Sequence, residues 1–121
     1  MKIYLSGPIS GHKDGNRDVF RMFTEAIINN GHLVANPHNI LPLCIKGRGD
    51  WENHMAANIQ HLVECDLVFV ISNQECQEVS LETHIAKELG IPVIYMSSVI
   101  NFLDQIEEAV RGIKEKLGEM L

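Results

Sequence analysis

Leu67-Val68-Phe69-Val70-Ile71 is an unbroken apolar run of β-branched and aromatic residues. A strand of that composition, with no polar alternation, is one covered on both faces. Such a strand needs helices above and below it, and the chain supplies them by alternation. Upstream, residues 2–5 read as a buried strand and residues 16–30 as a helix. In that helix Val19, Phe20, Phe23, Ala26 and Ile27 recur at helical spacing, Asn16 is placed to cap the start, and Gly31 stands where a left-handed terminator belongs. His32-Leu33-Val34-Ala35 reads as a second strand closed by Asn36-Pro37, and residues 38–49 as a loop. A second helix follows, with Asp50 as its cap, Met55, Ile59, Leu62 and Val63 on one face, and Glu64-Cys65 at its end.

Downstream of the central run, residues 72–77 are polar. A third helix then carries Leu81, Ile85 and Leu89 and stops at Gly90, and Ile91-Pro92-Val93-Ile94-Tyr95-Met96 forms another strand. A last helix over 101–117 places Leu103, Ile106, Val110, Ile113 and Leu117 on one stripe, which covers either the sheet or another subunit. The expected fold is α/β, a flavodoxin-like or Rossmann-like parallel sheet of four or five strands with helices on both faces and right-handed crossovers. At 121 residues the chain is expected to form a single domain over 1–121. Ligands of such sheets sit beyond the carboxyl ends of the strands, so the loops after Leu5, Ala35, Ile71 and Met96 are the candidate sites.

Composition narrows the partners. The net charge is −6, and the ten Lys and Arg residues are scattered, so no footprint for a nucleic-acid polymer is present and a small ligand fits better. Cys44, Cys65 and Cys76 are odd in number and lack CxxC spacing, which reads as free thiols in a reducing cytoplasm. No signal peptide or membrane span is read from the sequence. The six histidines form no HExxH motif or chelating pair, so no metal is expected.

The chemistry-bearing stretch opens the chain. Ser6-Gly7-Pro8-Ile9-Ser10-Gly11 follows the first strand without matching GxxxxGK[ST] or GxGxxG, and by itself it is either a tight βα connection or a loop a ligand can approach closely. Glu82, near the start of the helix after the central strand, should face the same end of the sheet. There the helix dipole favours its ionised form, as a nucleophile or as an ordinary first-turn glutamate. Glu78 beside it would repel it and raise one of the two pKa values. Trp51 is either core or a stacking surface for a base.

Taken together, Ile3-Tyr4-Leu5-Ser6-Gly7-Pro8-Ile9-Ser10-Gly11, Phe20, Gly31, Asn36-Pro37, Trp51, Met55, Cys65-Asp66, Glu82, Ala86 and Leu89-Gly90-Ile91-Pro92 resemble, in order, the nucleoside 2-deoxyribosyltransferase-like superfamily. Within it the likeness is to the small bacterial and phage proteins of the domain of unknown function DUF4406. The resemblance implies a pocket for a nucleoside or nucleoside 5′-monophosphate and a glutamate that attacks the anomeric carbon. It puts Glu82 in the nucleophile's place, with Tyr4 orienting it. Substrate contact falls to Ser6, Gly7, Pro8, Ile9, Gly11, Asp50, Trp51, Asn58, Ser72 and Glu78, with no metal or organic cofactor. It also implies a homodimer or larger homo-oligomer.

Three departures stand out against that pattern. Cys76 and Glu78 replace the serine and glycine that precede the glutamate in relatives, and Glu78 would disfavour a 5′-phosphate there. Asn58 replaces an aspartate and cannot deliver a titratable proton. Asn73-Gln74-Glu75 stands where DUF4406 proteins carry a tryptophan-glutamate pair. The leading expectation is N-glycosidic cleavage or deoxyribosyl transfer. Its alternative is a non-catalytic nucleotide-binding or regulatory module, and a flavin carrier ranks behind both because the first loop lacks a run of Ser and Thr.

Overall fold

The computed structural model describes residues 1–73 and 75–120. Four strands, β1 (Lys2–Ser6), β2 (Leu33–Ala35), β3 (Leu67–Val70) and β4 (Val93–Tyr95), form one parallel sheet in the order β2-β1-β3-β4. Four helices connect and follow them: α1 (Arg17–Asn29), α2 (Asp50–Leu62), α3 (Gln77–Glu88) and α4 (Phe102–Met120). The expected α/β architecture with a parallel sheet is therefore present. Ile3 pairs with Leu67 and Ser6 with Val70, so the two innermost strands run in register to their carboxyl ends.

Side-chain alternation along those strands builds the two layers. Ile3, Leu5, Leu67, Phe69 and Ile71 face α1 and α4, meeting Phe20, Phe23, Ile27, Ile106 and Val110. Tyr4, Val68 and Val70 face the other way, toward Ala57 and Leu62 of α2 and Val79 and Ala86 of α3. Aromatic rings fill the first layer: Phe23 and Phe102 meet edge to face at 4.8 Å between centroids, with Phe69 tilted against both. The stripe on α4 covers the sheet from Leu103 to Ile113, whereas Leu117 is half exposed. Polar contacts fix its near end, where Glu107 accepts from Asn30 Nδ2 at 2.9 Å and meets His32 Nε2 at 2.5 Å.

Several local expectations are corrected. Asn16 precedes α1 but does not cap it; with Asp14 and Gly15 it adopts left-handed backbone, and its side chain donates to the Pro8 carbonyl at 2.8 Å. Gly31 does close α1, at φ 93°, a conformation that costs glycine least. Asp50 is the first residue of α2 and Gly49 occupies the cap position. On α3 the buried face is Glu78, Val79, Glu82, Thr83 and Ala86, whereas Leu89 is exposed. The apolar periodicity misses that face because two glutamates and a threonine, held by hydrogen bonds, take positions reserved for hydrocarbon. Val63 is likewise half-exposed, and Ala57 and Asn58 turn inward.

Phe69, fully buried between the rings of Phe23 and Phe102, is the centre of the larger layer. Phe69→Ala is expected to cost about 3–5 kcal/mol in urea unfolding, whereas Val99→Ala should stay within about 0.5 kcal/mol. Val99 is 91% exposed.

Candidate active site

The chain passes from β1 to β2 on one side and, through α2, to β3 on the other, so strand order reverses between β1 and β3. At the carboxyl ends of that pair, Tyr4 and Ser6 lie two residues apart on one strand and therefore share a face. It is the face on which α3 packs, and α3 carries Glu82. Ser6 Oγ donates to Glu82 Oε1 at 2.9 Å, and the Tyr4 hydroxyl donates to Glu82 Oε2 in a short hydrogen bond. Both donors are fully buried, and Glu82 is 2% exposed.

Burial dominates the ionisation of this cluster. It pushes the Glu82 carboxyl up to about 7, a rise that the Tyr4 and Ser6 hydrogen bonds oppose and the nearby Glu78 charge increases. Burial likewise lifts the Tyr4 phenol well above its ordinary value, and the Glu82 charge adds to it. The helix dipole, expected to hold Glu82 ionised, is outweighed. Glu78 behaves oppositely: burial would raise it, but hydrogen bonds from Ser10, its own amide and the Cys76 thiol hold it below the usual carboxylate range. The Ser10 N–H donates to Glu78 Oε1 at 3.2 Å, tying the first loop to α3.

Glu78, one turn before Glu82 on α3, lines a cavity of about 350 Å³ together with Ile9, Ser10, Arg17, Pro37, His38, Ile40, Trp51, His54, Met55 and Asn58. Its walls come from the loops after β1 and β2, the first residue of α1, and α2 and α3. Pro37, Ile40, Met55 and Trp51 give it apolar sides. The His38 ring stands edge-on to Phe20 and donates from Nε2 to the Gly15 carbonyl at 2.7 Å. Asn58 is 5% exposed, and among the described residues its carboxamide has no hydrogen-bond partner. No fully enclosed side-chain nitrogen or oxygen lacks a partner there, so the carboxamide opens onto the cavity that it lines.

Of the residues singled out in the sequence, Ile9, Trp51, Asn58 and Glu78 line the cavity together. Tyr4, Ser6 and Glu82 form the hydrogen-bonded cluster and do not line it. Gly7 is there for space, because a Cβ would come within 2.6 Å of Ile71 Cγ1. Pro8 contributes its carbonyl to Asn16, and Gly11 is exposed with φ 79°. Asp50 lies in a separate cleft with Pro42, Leu43 and Asn53, and Ser72 in another with Thr83, Lys87 and Tyr95. Gln74 of the Asn73-Gln74-Glu75 departure lies outside the described residues. Sequence reasoning missed Arg17, His38, Ile40 and His54. Their signal is positional, since Arg17 opens α1 after the first loop, and His38 and Ile40 follow β2.

Among the described residues no group of three His, Cys, Asp or Glu side chains is arranged to hold a metal ion, and no helix is long and apolar enough to cross a membrane. No curated protein matches the chain. Among solved structures, the chain superposes on a 2-deoxyribosyltransferase from the psychrotolerant bacterium Bacillus psychrosaccharolyticus with TM-score 0.61 and 23% identity, over 85% of this chain and 79% of that one. It also superposes on a conserved protein from Enterococcus faecalis V583 with TM-score 0.57 and 19% identity, over 78% of this chain and 62% of that one. At such identities the likeness is one of fold, the flavodoxin-like fold of deoxyribosyltransferases. The family model for the domain of unknown function DUF4406 matches residues 1–95, from β1 through β4, and the chain belongs to that family.

Proposed function

We propose that this protein cleaves or transfers across the N-glycosidic bond of a nucleoside, with Glu82 as nucleophile. The observation that carries the reading is the buried Tyr4–Glu82–Ser6 cluster, because two hydroxyl donors converge on one carboxylate and fix both of its oxygens. Such bonds aim a carboxylate at one direction of attack. The fold shared with a deoxyribosyltransferase supports the choice of bond and substrate class. A carboxylate oxygen attacks C1′, the C1′–N bond breaks with its electron pair passing to the base, and the base takes a proton from solvent. The resulting glycosyl ester is resolved by water, or by a second base in transfer. Charge developing on the sugar is stabilised by the same carboxylate. In this reading Asn58 and Trp51, both on the cavity lining, hold the base by hydrogen bonding and stacking; Asn58 cannot supply the proton. For substrate to reach Glu82, the Glu78 side of the cavity must admit it. As the family resemblance implies, the working assembly in this reading is a homo-oligomer.

One observation favours a second reading. Glu82 does not line the cavity and Glu78 does, which suits a module that binds a nucleoside without turning it over. A panel of nucleosides and their 5′-monophosphates, with and without an acceptor base, separates the two by chromatography of released base. In the catalytic reading Glu82→Gln loses base release by at least about 10³-fold and Tyr4→Phe by about 10- to 100-fold. Intact ligand together with a raised melting temperature would establish the binding module.

The ionisation of Glu82 sets the pH dependence. Attack needs the carboxylate, so the rate of base release is expected to rise with pH and level off above about 7. A profile flat from pH 5 to 8 would remove Glu82 from the nucleophile's role.

Stability should follow the opposite course. The folded state holds the Glu82 proton to about 7, above an unfolded carboxyl, so ionising it inside the fold costs stability as pH rises between those values. Melting temperature is expected to fall from about pH 5 to pH 8 in the wild type and to fall less in Glu82→Gln.

A further inference from the structure

We propose that Glu78 makes the cavity selective for an uncharged, hydroxyl-donating ligand, the unphosphorylated nucleoside, and excludes the corresponding 5′-monophosphate. The inference rests on the nucleoside reading above and specifies its substrate. Glu78 is 6% exposed and lines the cavity, and its Oε1 already accepts the Ser10 N–H. That amide is a first-loop donor at the cavity, and the protein meets it with a carboxylate of its own. A carboxylate only accepts hydrogen bonds, so whatever touches it from the cavity must donate. A sugar hydroxyl does so. A phosphate monoester carries close to two negative charges at neutral pH and offers mainly acceptors.

A second observation shows that the cavity is built for a ligand. The unpartnered Asn58 carboxamide, nine-tenths buried, opens into it and presents one donor and one acceptor group. That is the complement of a neutral base edge. Arg17 is the guanidinium on the lining, but it is exposed at the start of α1, and exposed ion pairs add little. His38 is committed to the Gly15 carbonyl, and His54 lies on an exposed part of α2. The buried side of the cavity is therefore negative.

The test is calorimetric titration of the whole protein at pH 7.5 with thymidine, deoxyadenosine and their 5′-monophosphates, in the wild type and in Glu78→Gln. Glutamine keeps the shape and can still accept from Ser10 while removing the charge. The wild type should bind a nucleoside at least about tenfold more tightly than its monophosphate, and Glu78→Gln should bring the two within about threefold by tightening the monophosphate. Equal wild-type affinity for both would overturn the proposal. So would a variant that weakens both ligands by one factor, since Glu78 would then be merely structural. If nucleosides bind without charge preference, only this inference falls; if no nucleoside or monophosphate binds either protein, the nucleoside reading falls with it.

Discussion

A carboxylate that is 2% exposed can be kept in a fold only with donors aimed at it or a proton on it, and Glu82 makes that demand of the whole sheet. Tyr4 and Ser6 meet it because β1 alternates strictly and because its register against β3 brings both to the α3 side. A slip of one residue would turn Ile3 and Leu5 toward Glu82 and strand it without partners. The same alternation sends Ile3 and Leu5 into the aromatic layer beneath α1 and α4. Core packing and the geometry of the polar cluster are thus two faces of one strand.

Two glutamates on adjacent turns of α3 have been given different surroundings. Glu82 is held among hydroxyls off the cavity lining and drifts toward neutrality; Glu78 is held by a loop amide at the cavity wall and stays charged. Each affects the other, because the Glu78 charge contributes to the raised Glu82 value. Divergent ionisation of neighbouring acids is a common property of sites that bind or transform ligands. Burial pushes both upward; at Glu82 it outweighs the two hydroxyl donors, whereas at Glu78 the Ser10, main-chain and Cys76 donors outweigh it.

The architecture was legible because β1 and β3 are short, apolar and punctuated, and because Gly31 and Gly90 end helices at positive φ. The pairing of Glu82 with Tyr4 was legible only through the ordered resemblance, since local spacing left Glu82 as either a nucleophile or a first-turn residue. What escaped has a physical cause. The inward face of α3 is built from Glu78, Glu82 and Thr83, which no hydrophobic periodicity marks as buried. His38 and Ile40 join the cavity through the path of the 36–49 segment, which carries no repeating pattern to fix it, and His54 joins it from an exposed position on α2. Asp50 and Ser72 illustrate the converse, residues near the right end of the sheet that turn into neighbouring clefts.

The stretch shared with the family ends at Tyr95, the last residue of β4, yet the folded unit does not end there. Ile106 and Val110 are buried against the sheet, and Phe102 completes the aromatic packing around Phe23 and Phe69. A fragment cut at residue 95 would carry every cavity-lining side chain but leave one broad hydrocarbon face wet. Such a fragment would bury that face against other copies of itself, so α4 acts as a solubility cover over a sheet whose cavity it does not line.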